Sequence, residues 1–151
     1  MNYIQYIRQY VGTKPIIAPG SAIIVLNDNN EMLLQLRSDT NDWGLPGGGM
    51  ELGDSFEETA QKELFEETGL IAHELKLVGL ASGKELYYQF SHGDEIYNAT
   101  AIFQATTVTG TLKIDKESKD LQYFSLNQLP KLNYTTVKLL EKIGYIPTDI
   151  V

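Results

Sequence analysis

The chain has 151 residues, a hydrophobic share of 42% and a formal net charge of −8 from 20 acidic and 12 basic side chains. That balance argues against non-specific nucleic-acid binding, which needs a basic surface to displace counterions, and means that a polyphosphate ligand meets an unfavourable field unless cations intervene. With no cysteine, disulfides, thiolate zinc sites and thiol catalysis are excluded. The N-terminus has no basic stretch followed by an apolar run, and no apolar run is long enough to span a membrane. A soluble cytoplasmic protein with no membrane partner, folded as a single domain over 1–151, is therefore expected.

In chain order, Asn2 to Val11 places apolar groups at 4, 7 and 11, the spacing of a short amphipathic helix that Gly12 and Pro15 stop. Ala22 to Leu26 is a continuous, largely β-branched run, expected as a strand buried on both faces. Asn27 to Asn30 reads as a turn, with Met32 to Leu36 the partner strand of a hairpin. Arg37 ends that strand and is placed either to pair with an acid or to meet a phosphate. Ser55 followed by Glu58 fits a capping box that starts a helix at about 56, and Gly69 supplies its left-handed stop. Leu75 to Val78, Leu86 to Phe90, Glu95 to Ala105 and Leu121 to Phe124 read as strands, and 135–143 as a closing helix before Gly144. In the long strand, Tyr97, Ala99, Ala101, Phe103 and Ala105 share the more apolar face. Strands on both sides of a central helix, with a second helix at the end, predict a mixed α/β sandwich.

The densest feature is the stretch 44–70, where seven acids (Glu51, Asp54, Glu57, Glu58, Glu63, Glu66, Glu67) stand against one base, Lys62, behind the run Gly47-Gly48-Gly49. Like charges at helical spacing repel by roughly 0.2–0.5 kcal/mol per pair, and no folding requirement calls for them. At about 100° per residue, Phe56, Ala60, Glu63, Leu64 and Glu67 fall on the inward side, Glu66 on its flank, and Glu57 and Glu58 on the solvated side. Partly buried, adjacent carboxylates take up protons or demand a cation. Oxygen ligands of this kind suit Mg²⁺ or Mn²⁺. The acids do not follow the alternating pattern of an EF-hand, and no Gly-Lys-Ser/Thr follows the glycines as in a P-loop.

The stretch from Gly48 to Leu70 resembles the Nudix box of the MutT-like hydrolases, G-x5-E-x7-R-E-U-x-E-E-x-G-U with U aliphatic. Gly48, Glu63, Leu64, Glu66, Glu67, Gly69 and Leu70 match in register, while Asp54 stands where the pattern has Glu and Lys62 where it has Arg. The resemblance implies a Nudix fold, an α/β/α sandwich of mixed sheet flanked by helices. It also implies metal-dependent attack of water on the diphosphate of a nucleoside diphosphate linked to another moiety: a nucleoside triphosphate, ADP-ribose, a nucleotide sugar or a dinucleoside polyphosphate. It assigns the divalent ions, Mg²⁺ or Mn²⁺, to Glu63, Glu66 and Glu67 with a carbonyl near Gly48, and catalytic work to Glu66 and Glu67. Glu117 is a candidate general base from a later loop and equally readable as a surface acid between Lys116 and Lys119. Arg37, Tyr87 and Tyr97 are candidate substrate contacts, although Tyr88, Phe90 and Phe103 are equally plausible stacking partners and all five aromatics are equally readable as core. An arginine in place of Lys62 would grip a carboxylate with two prongs and orient a box glutamate. The two departures leave a catalytically weakened nucleotide-binding or regulatory module as the alternative. The family also often forms homodimers.

Overall fold

The computed structural model describes residues 1–116 and 118–148. Helix α1 (Tyr3–Val11) starts on a capping box, with the Asn2 side chain accepting from the Gln5 backbone and Gln5 answering to the Asn2 N–H; Gly12 ends it at φ +63°. Strand β1 (Ile16–Ile24) lies between β4 (Gly47–Gly49) and β7 (Glu95–Gly110), antiparallel to the first and parallel to the second. β7 carries β5 (Leu70–Ala81) along its later half and β6 (Tyr87–Gln89) along its start, both antiparallel. The second sheet has β2 (Glu31–Arg37) between β3 (Trp43–Gly44) and β8 (Ser118–Ser125). Helices α2 (Phe56–Thr68) and α3 (Tyr134–Lys142) complete the mixed α/β sandwich.

The expected β1–β2 hairpin is corrected in one respect. The turn at 27–30 forms, closed by Asn27 N–H to the Glu31 carbonyl and Leu33 N–H to the Val25 carbonyl, but the two strands it joins belong to different sheets. Both strands are apolar on successive residues because each feeds two cores. Ile23, Val25 and Leu33 pack with Ala60 and Leu64 of α2 and with Phe103, while Ile24, Met32 and Leu34 pack with Leu139 and Leu140 of α3 and with Ile102. A continuous run is what burial on both faces requires.

Several elements differ in extent from the sequence pattern. β5 reaches from Leu70 to Ala81 and β7 to Gly110, since each supplies the other's backbone partners through bulges near 73–74 and 78. Leu86 belongs to a 3-10 turn (Lys84–Leu86), so β6 begins at Tyr87. Phe56, expected inward, is exposed at the first turn of α2. Among the described residues no helix is long and apolar enough to cross a membrane.

Candidate active site

α2 is fixed at both ends by local chemistry. Ser55 Oγ accepts the Glu58 N–H at 3.0 Å, and Glu58 accepts the Ser55 N–H at 2.9 Å. Gly69, at φ +79°, closes the helix by donating to the Phe65 carbonyl. Ser21 of β1 donates to the Phe56 carbonyl at 2.8 Å, which ties the helix start to the sheet. This sets the inward stripe, with Ala60 and Leu64 fully buried and Glu67 5% exposed one turn on.

Glu67 therefore ends buried, and among the described residues the donors it meets are neutral. Gln35 Nε2 donates to one carboxylate oxygen at 2.7 Å, and the Gly47 N–H to the other at 2.8 Å. Gln35, itself 2% exposed, is oriented by Ser118, whose hydroxyl donates to Gln35 Oε1 at 2.8 Å. Burial dominates and pushes the Glu67 carboxyl up to about 8. The Gln35 and Gly47 hydrogen bonds oppose it, the Glu63 charge adds to it and Arg37 offsets a little. Neither Gln35 nor Ser118 stands out by motif; the one local signal is a lone amide inside the apolar run Met32 to Leu36.

Glu63, one turn earlier and half-buried, stands against Gly48. A Cβ at Gly48 would lie 2.5 Å from its carboxyl carbon and 2.7 Å from both oxygens. The Gly48 carbonyl oxygen lies beside Gly20 of β1, and what the glycine supplies is room for the Glu63 carboxylate. Glu66 is exposed. Among the described residues no three acidic or imidazole groups are preassembled around one point. The donor set nonetheless fits a hard divalent cation: it is all carboxylate, it leaves a cradle at Gly48, and it includes a buried acid whose ionised form lacks a cationic neighbour in contact. Glu117 lies outside the described residues.

The two departures from the motif meet each other. Lys62 Nζ is 2.5 Å from Asp54 Oδ2, and this hydrogen bond raises the Lys62 pKa. Lys62, which lacks the two-pronged grip that the motif's arginine would have, holds the loop ahead of the helix through Asp54.

Beside β4 opens a cleft of about 330 Å³. Its floor is the face of β1 from Ala18 to Ala22 and of β7 at Asn98 and Thr100, with Gly47 to Gly49 along one side. Ile4, Tyr88 and Phe90 make an apolar wall; Arg37, Asp39, Thr40, Asn133 and Thr135 make a polar one. Arg37 forks onto Asp39 with two contacts of 3.1 Å, holding that carboxyl below its usual range. Tyr87 and Tyr97, expected as substrate contacts, lie off the cleft. They face each other with ring centroids 5.2 Å apart, on the opposite side of the β6–β7 pair from Tyr88 and Ile96. The Tyr87 hydroxyl bonds to Glu95. The aromatic pair on the cleft is Tyr88 and Phe90, edge to face at 4.9 Å.

The family profile described as NUDIX domain matches residues 17–143. An ADP-ribose pyrophosphatase of Methanocaldococcus jannaschii is 31% identical over 120 residues, covering 78% of this chain and 68% of that protein. A putative 8-oxo-dGTP diphosphatase of Bacillus subtilis is 48% identical over 50 residues, a third of each chain (33% and 34%). Among solved structures, a MutT NUDIX hydrolase from Burkholderia pseudomallei superposes with a TM-score of 0.71 at 22% identity, over 85% of this chain and 98% of that one. The NUDIX domain of Shewanella oneidensis NrtR, complexed with ADP ribose, does so with 0.66 at 18%, over 95% and 97%; at such identities the likeness is one of fold. The chain belongs to the Nudix family of diphosphohydrolases. Its reaction is that of the class, hydrolysis of the diphosphate bond in a nucleoside diphosphate linked to another moiety. Enzymes of this class generally need a divalent metal ion.

Proposed function

We propose that the protein is a Mg²⁺-dependent cytoplasmic enzyme, with Mn²⁺ as an alternative ion, that cleaves ADP-ribose or a closely similar nucleoside diphosphate sugar. The observation that carries this reading is the cleft itself. It has an apolar, aromatic wall suited to a base, a polar wall suited to a second sugar, and along one side the glycine strand, whose Gly48 stands against the Glu63 carboxylate of α2. The relative covering 78% of the chain is named an ADP-ribose pyrophosphatase, which supports the same choice.

Glu63, Glu66 and Glu67 would hold the metal, with exposed Glu66 turning in to complete the set. When bound, the ion supplies charge neutralisation for the diphosphate and Lewis acidity at phosphorus. Gln35 and the Gly47 N–H keep the Glu67 carboxylate aimed, and Gly48 leaves Glu63 its place. Arg37 lines the cleft and is our phosphate contact. Glu66 and Glu117 are the candidates to take the proton of the attacking water. Water adds across the anhydride, so ADP-ribose yields AMP and ribose 5-phosphate. The alternative of a weakened regulatory module draws on Asp54 and Lys62; their direct ion pair supports the reading that the two departures compensate each other.

The test is a panel of ADP-ribose, nucleoside triphosphates, nucleotide sugars and dinucleoside polyphosphates with Mg²⁺. AMP release from ADP-ribose at the highest kcat/KM is expected. A clear preference for another member would overturn the substrate assignment, and no product from any would overturn the activity.

A further inference from the structure

Residues 1–16 precede the stretch that matches the NUDIX domain, yet α1 from that segment takes part in the cleft. Ile4 lines it, and its Cγ1 would lie 3.9 Å from a Cβ placed on Gly49 of β4. The helix is tied down at both ends. At its start the Tyr3 N–H donates to Glu51 Oε1 at 2.9 Å, a carboxylate from the loop between β4 and α2. Toward its end Arg8, with a side chain only 11% exposed, donates to the carbonyls of Gly12 (2.9 Å), Lys14 (2.6 Å) and Glu95 (2.8 Å). Its Nε also lies 3.5 Å from Asp94. Asp94 and Glu95 belong to the turn that carries Phe90 into β7, and the Glu95 N–H donates to the Thr13 carbonyl at 3.2 Å. Nine helical residues span about 13 Å, so α1 braces the β4–α2 loop against the aromatic hairpin along one side of the cleft.

The chemistry of that side is apolar and flat: Ile4, Tyr88, Phe90 and Ile96. The opposite side, at Arg37 to Thr40 and the start of α3, is polar. We infer that α1 is the nucleoside-side wall of the cleft, with Ile4 as the residue that contacts the base and its ribose and Arg8 as the positioning residue that holds the wall in place. This rests on the reading of the cleft as the nucleotide site, and it adds a selectivity element that the matched domain does not contain.

The experiment is equilibrium binding, to the full chain with Mg²⁺ present, of AMP and of ribose 5-phosphate, the two halves of ADP-ribose. Ile4→Ala weakens AMP by about tenfold, as removal of a few methylenes from a nucleoside wall does, and leaves ribose 5-phosphate within about twofold. Arg8→Met keeps an apolar stem, releases the helix, and weakens AMP in the same direction. Gln9→Ala, on the exposed face of α1, changes neither and serves as the control for helix content by circular dichroism. Equal weakening of both halves by Ile4→Ala, or unchanged AMP binding, overturns the wall. Unchanged AMP binding in Arg8→Met overturns the bracing role. A wild-type protein that binds neither half overturns the nucleotide reading of the cleft, a result distinct from the other two.

Discussion

Asp54, ahead of α2, and Glu67, at its last turn, are carboxylates of one motif in opposite surroundings. Asp54, with a side chain 21% exposed, pairs with the exposed ammonium group of Lys62. Glu67 is buried, receives an amide and a backbone N–H among the described residues, and has its carboxyl pushed up to about 8. An ion pair with one exposed partner is partly screened by solvent and contributes modestly. A desolvated carboxylate without a cation destabilises the fold and binds a cation strongly in consequence. The contrast separates an acid that ties the loop to the helix from one that is buried and proposed to hold the metal.

The largest effect is expected at Glu67. Glu67→Gln should lower turnover of the preferred substrate by at least about a hundredfold, as loss of a group stabilising the transition state does, while circular dichroism stays native. The fold can accept the amide. If the Gln35 amide turns over, its oxygen accepts from the new side chain and its nitrogen donates to the Ser118 hydroxyl, so the chain of hydrogen bonds is conserved.

The second concerns stability against pH in the absence of metal. Glu67 titrates near 4.5 when unfolded and near 8 when folded. Between those values the native state holds a proton that the unfolded chain has lost. Stability is therefore complete below about 4.5, falls as pH rises, and levels off above about 8. The loss is roughly 4–5 kcal/mol across the window. Urea unfolding of wild type and Glu67→Gln at pH 5, 6.5 and 8 measures it. The variant should lack this slope and be the more stable at pH 8.

Two neighbouring glycines sharpen the comparison next. A Cβ at Gly47 would lie 2.4 Å from the Ser21 carbonyl oxygen and 3.0 Å from the Ala22 Cα, both backbone, so Gly47→Ala should destabilise by about 1–3 kcal/mol. At Gly48 the obstacle is the flexible end of Glu63, which can move. Gly48→Ala should keep its melting temperature within about 2 °C and lose about tenfold or more in turnover as the carboxylate is displaced.

The smallest effect belongs to Asp54 and Lys62. Restoring the motif with Asp54→Glu and Lys62→Arg together should change turnover by less than about threefold, since the pair is partly solvated and already formed. A large gain would instead favour the weakened-module alternative.

The local features were legible. Ser55, Glu58 and Gly69 fixed α2 to the residue, and spacing at 100° put Glu67 inside, because a helix is set by its own neighbours. What escaped depended on distant pairing. Gln35 reaches Ser118 across 83 positions of chain, and nothing local to either residue announces it. Alternation puts Tyr87 and Tyr88 on opposite faces of β6, but which face borders the cleft is decided by the β6–β7 register and by α1. The turn at 27–30 was readable, whereas the change of sheet across it follows from β1 pairing with β7, some eighty residues later.

The account rests on Glu67 as a protonated, buried acid that gives up its proton to a divalent cation. Calorimetric titration of the metal-free protein with Mg²⁺ or Mn²⁺ at pH 7, in buffers of different ionisation enthalpy, measures that exchange directly. The prediction is release of about one proton per ion bound by wild type, and none by Glu67→Gln. Binding without proton release, or the same release from the variant, would contradict it.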